Sequence, residues 1–71
     1  MSRRTVEDLA LGDQVAAIYL DANVSAWRSF EEPRAVRGIL NPDGVFRVYL
    51  KGVRGPFICG SPPRLSFEVI E

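Results

Sequence analysis

The chain has 71 residues, with nine Lys and Arg balancing nine Asp and Glu, 46% hydrophobic and 25% charged. A domain of this size buries only about 60% of the surface its unfolded chain exposes, so its core is thin and self-association is one expected support. A single cysteine and no histidine exclude an intrachain disulfide and the usual zinc ligand sets. The longest apolar run, residues 15–20, falls well short of the roughly 20 residues of a membrane helix. No basic segment leads into an apolar stretch, so the reading is a cytoplasmic chain with no membrane partner.

Residues 1–8 read as an N-terminal tail or a single helical turn. Thr5-Val6-Glu7-Asp8 has the form of a capping box, with aspartate in place of the usual glutamate or glutamine, and Gly12 stops the turn. Residues 9–71 read as one small domain. Gln14–Leu20 is a largely buried strand, with a helical alternative left open by Ala16 and Ala17. Residues 21–34 hold Asn23, Ser25, Ser29 and Pro33 without a sustained period, which predicts a long loop with room for a helical turn over 25–30.

The clearest local signal follows. Residues 35–40 and 45–51 flank Asn41-Pro42-Asp43-Gly44, where proline presets the first turn dihedral and glycine takes the left-handed one, so a hairpin is expected. Gly38 weakens the first of these strands or marks a bulge. Glycines 52 and 55 and Pro56 break the chain before a short strand at 57–59, and Pro62-Pro63 breaks it again. Leu65–Ile70 alternates Leu65, Phe67 and Val69 on one face.

Five short strands in this order, with the longest loop first, resemble an all-β SH3-like barrel over about residues 9–70; an OB-like or other small open β-barrel is the alternative. Leu9-x-x-Gly12-Asp13-x-Val15 resembles the approach to the first strand of several small-barrel families, KOW-type modules among them. Those modules continue with a glycine where this chain has Asp21-Ala22-Asn23, so none of their RNA-binding residues is carried over and no family is assigned.

Catalytic chemistry finds little to work with. There is no histidine for acid–base work. Glu31-Glu32 beside Pro33 reads as a solvated loop edge, and Cys59, in an apolar strand, as a small buried hydrophobe. The expectation is a non-catalytic chain without cofactor or metal, an active site being conceivable only across an oligomer interface.

Charge is distributed unevenly. Residues 1–32 carry six acidic side chains against Arg3, Arg4 and Arg28, whereas residues 33–71 carry Arg34, Arg37, Arg47, Lys51, Arg54 and Arg64 against three acidic ones. Period-two geometry places Arg47, Tyr49 and Lys51 on the outer face of the hairpin, with Arg37 beside them and Arg54 in the next loop. Cations flanking an aromatic ring suit phosphates and a stacked base, so nucleic acid is the leading partner and the solvated sheet face the bland alternative. Trp27 and Phe30 form a second constellation, either anchoring the loop or offering a surface for protein contact, regulation or homo-oligomerisation, as small mobile-element proteins do with host components.

Overall fold

The computed structural model describes residues 2–20 and 25–71. Its elements are β1 (Ser2–Thr5), a 3-10 turn (Val6–Asp8), β2 (Gln14–Leu20), β3 (Arg28–Leu40), β4 (Phe46–Leu50), β5 (Phe57–Gly60) and β6 (Leu65–Ile70). The fold is all-β: one antiparallel sheet of six strands in the order β1-β6-β2-β3-β4-β5, left open with β1 and β5 as its edges. No described helix is long and apolar enough to cross a membrane.

The core follows from alternation. Leu65, Phe67 and Val69 of β6 are buried, as are Val48 and Leu50 of β4 and Phe57 and Cys59 of β5. Ile18 faces Phe67 across the β2–β6 ladder, and both are fully buried. Val15 and Ile18, an odd number of residues apart, share the inner face because Ala16 is an extra residue with no partner in either ladder of β2. Such a bulge resets the alternation, which is why a strand apolar on both faces remains a strand.

The long loop expected over 21–34 is shorter than the sequence indicates. From Arg28 onward the chain is strand, and no helical turn forms at residues 28–30; residues 21–24 lie outside the described part. β3 runs for 13 residues and is shared. Arg28, Ser29, Arg34 and Ala35 pair with β2, whereas Val36 and Gly38 to Leu40 pair with β4. Residues 30–33 stand opposite Ala16 alone, so Pro33, which has no N–H to donate, falls where the ladder is interrupted. That irregularity removes the period-two signal and disguises the strand as loop.

The N-terminal segment also differs from a tail. Ser2–Thr5 adds to the free side of β6, Ser2 opposite Val69 and Thr5 opposite Ser66. Arg3 lies 3.9 Å above the Tyr19 ring and donates to Ser66 Oγ, while Arg4 reaches Asp13 at 3.3 Å and Glu71 at 3.4 Å. The expected single turn is present as the 3-10 turn, with Val6 and Leu9 buried beneath it. Thr5 occupies the N-cap position, yet its side chain makes no capping bond.

The hairpin forms as expected. Gly44 is left-handed at φ 85°, Asp43 accepts the Val45 N–H, and Leu40 pairs with Arg47. The bulge suspected at Gly38 lies at its neighbour Arg37, the residue skipped between Val36 and Gly38. Truncating the centre of this thin core carries a large penalty. Phe67→Ala should cost about 3–5 kcal/mol, against a total of about 4–10 kcal/mol for a chain of this length. Urea unfolding measures it, and a loss below about 1 kcal/mol would contradict the packing described.

Candidate functional site

The outer face of β3 and β4 carries the basic and aromatic residues. Val48 and Leu50 point inward, so Arg47 and Tyr49 point outward, and Lys51 continues that face at the strand's end. Tyr49 pairs with Gly38 and its side chain lies over that glycine, 3.7 Å from where a Cβ would stand. The bulge aims Arg37 at the same place. Its guanidinium sits 5.1 Å from the Tyr49 ring centroid, and its Nε donates to the Leu50 carbonyl at 3.4 Å. Arg37, Tyr49 and Lys51 therefore share one end of the hairpin.

Arg47 has a partner of its own. Its two terminal nitrogens engage both carboxylate oxygens of Asp43 at 2.9 and 3.2 Å, and Nη1 also donates to the Val45 carbonyl. This fork holds the turn, and the Arg47 charge is matched locally. Arg54 is exposed in the β4–β5 loop. Arg37, Lys51 and Arg54 form no ion pair with a described residue.

Trp27 and Phe30 are separated by the start of β3. Phe30 packs against the core, half-buried, and is an anchor. Trp27 is 53% exposed, its ring edge-on to Phe57 at 6.2 Å, while its backbone N–H donates to the Ile18 carbonyl. Between them Arg28 stands over the rings of Phe30 and Phe57 at 5.7 and 5.5 Å. A further apolar pair was not foreseen: Leu40 and Ile58, 50% and 60% exposed, flank Arg47 on neighbouring strands. Ile58 points outward because it alternates with the buried Phe57 and Cys59, and the β4–β5 register sets it opposite Arg47.

Arg34 is the other residue that sequence reasoning missed, because it lay in the expected loop. It is a half-buried strand residue beside Ala35, whose carbonyl accepts the Lys51 N–H at 2.9 Å. Cys59 is buried, and burial pushes its thiol up to about 11, away from the range of a nucleophilic thiolate. No family model, curated protein or solved structure matches this chain.

The Arg47 fork and the Val45 N–H hold the Asp43 carboxyl down to about 2, from 3.8. Because the folded value is the lower one, the pair's stabilisation is complete above about pH 4 and disappears as pH falls through about 2. Carboxyl-detected NMR titration should find Asp43 at the low value in the native chain and raised toward 3.8 in Arg47→Ala, the Val45 N–H still holding it somewhat below. An unchanged Asp43 titration in that variant would refute the assignment.

Proposed function

We propose that this chain is a non-catalytic nucleic-acid-binding module of SH3-like architecture, using the Arg37–Tyr49–Lys51 end of the hairpin with Arg54 alongside. The finer fold assignment rests on the order β6-β2-β3-β4-β5, in which the last strand returns beside β2, and on the sharing of β3 between two half-sheets. β1 adds to the outside of that arrangement.

The observation that carries the functional reading is the Arg37 guanidinium over the Tyr49 ring, beside cations that have no carboxylate partner among the described residues, in a chain of zero net charge. An unmatched cation on a sheet face attracts phosphate, and the ring next to it offers a stacking surface for a base. Arg47 contributes least, since Asp43 already holds it. A protein-contact or self-association role for Trp27 is the second reading, favoured by the 53% exposure of a side chain type enriched at interfaces.

Two measurements test these readings. In oligonucleotide titrations at about 50 and 200 mM salt, Arg37→Ala/Lys51→Ala should weaken binding and lower the salt slope by roughly one unit per lost phosphate contact. Arg47→Ala should leave affinity nearly unchanged. No binding by the native chain at low salt, or equal binding by the double variant, would exclude this interface. For Trp27, the only tryptophan, emission should be red-shifted and readily quenched by acrylamide. Blue-shifted, protected emission would remove the second reading.

A further inference from the structure

An open pocket of about 360 Å³ lies where the two half-sheets meet, lined by Gln14, Pro33, Arg34, Ala35, Lys51 and Gly52. Two of the lining residues are cations, one is an amide, and none is a carboxylate. The neighbouring Glu31 and Glu32 are exposed and stay out of the lining.

Arg34 is unusual among the arginines of this chain. Arg4 and Arg47 face carboxylates, and Arg3, Arg28 and Arg37 lie over aromatic rings. Arg34 is half-buried and makes neither kind of contact with a described residue; its Nε–H is shielded from solvent with no hydrogen-bond partner among them. Because that nitrogen is closed to solvent, an anion entering the pocket would meet the terminal nitrogens of the guanidinium, for which the described residues supply no acceptor. The guanidinium lies against the Gly52 backbone. Gly52 is left-handed at φ 76°, and Arg34 Nη1 is 2.8 Å from where a Cβ would stand. Lys51, adjacent to that glycine, brings the second charge.

We infer that this pocket is an anion site that takes a phosphate ester. A guanidinium fork, an ammonium point charge and an amide donor are the complement that phosphate oxygens require. The pocket is at the small end of the roughly 300–1,000 Å³ typical of small-molecule sites, which leaves space for the group esterified to the phosphate. The site shares Lys51 with the nucleic-acid face but does not rest on that reading. Its phosphate has two possible sources, a free small phosphate ester or the terminal phosphate of a nucleic acid.

The test is an NMR titration of the full chain with inorganic phosphate, with adenosine 5′-monophosphate, and with one oligonucleotide in 5′-phosphorylated and unphosphorylated forms. The expected result is a saturable shift of the Arg34 Nε–H, the Gln14 side-chain amide and the Gly52 N–H, with a dissociation constant on the order of 1 mM or tighter for the monophosphate. Arg34→Met should weaken it at least about tenfold. Arg34→Lys, which keeps the charge without the fork, should fall between. Arg28→Ala, outside both the pocket and the hairpin face, should retain phosphate binding. Tighter binding of the phosphorylated oligonucleotide than of its twin assigns the terminal phosphate as the source; equal binding of the two, with monophosphate still saturating the pocket, assigns the small ester. Absence of a saturable shift in the native chain overturns the inference without any variant, and so does undiminished binding by a folded Arg34→Met. Pocket shifts without oligonucleotide shifts at Arg37 and Tyr49 would reject the nucleic-acid interface while keeping the phosphate site.

Discussion

Everything distinctive about this small fold depends on β3 being shared. One strand of 13 residues pairs with β2 through its first part and with β4 through its second. The changeover is at Ala35 and Val36. Ala35 stands opposite Gln14 and accepts the Lys51 N–H, while Val36 exchanges hydrogen bonds with Gly12 and Asp13 and stands opposite Leu50. Backbone bonds in two directions from adjacent residues leave the half-sheets no freedom to slide. A thin core gains from this, because Val15, Ile18 and Phe67 on one side and Val48 and Leu50 on the other then bury one another.

Charges are matched unevenly across the fold. Two arginines are satisfied within it, Arg4 by Asp13 and Glu71 and Arg47 by Asp43. Arg34 and Arg37 flank the changeover, and Lys51 is tied to it by its backbone. None of these three meets a carboxylate of the described residues. A chain with no net charge thereby presents local positive potential, which is what attracts a polyanion. The proposed interface and the proposed phosphate pocket are two sides of this one imbalance.

The hairpin was legible in the sequence because its signals are local. Asn41-Pro42-Asp43-Gly44 specifies the turn, and strict alternation over 46–51 specifies which side chains face out. Alternation alone therefore puts Tyr49 and Lys51 on one face. The second half of β3, residues 35–40, was legible as the hairpin's first strand, whereas its first half, residues 28–34, was not, since Pro33 and the interrupted ladder around it erase the period-two pattern that betrays a strand. Losing that half also lost Arg34, which lies beside Gly52, eighteen positions along the chain. The Asp43–Arg47 fork spans four residues across the turn and was within reach, had the charge pattern been combined with the turn geometry. β1 escaped for a different reason. Its partner is the far end of the chain, and four polar residues pairing with β6 leave no apolar signature.

Native-state hydrogen exchange at the Val36 and Lys51 amides tests the shared-strand account most directly. These donors bond to Asp13 and Ala35 and hold the half-sheets together. The account predicts that both exchange only through global unfolding, with the urea dependence of the core amides of Ile18 and Phe67. Exchange of Val36 and Lys51 through low-energy local opening, while Ile18 and Phe67 stay protected, would contradict it. The half-sheets would then move independently, and neither the basic face nor the pocket would have a fixed geometry.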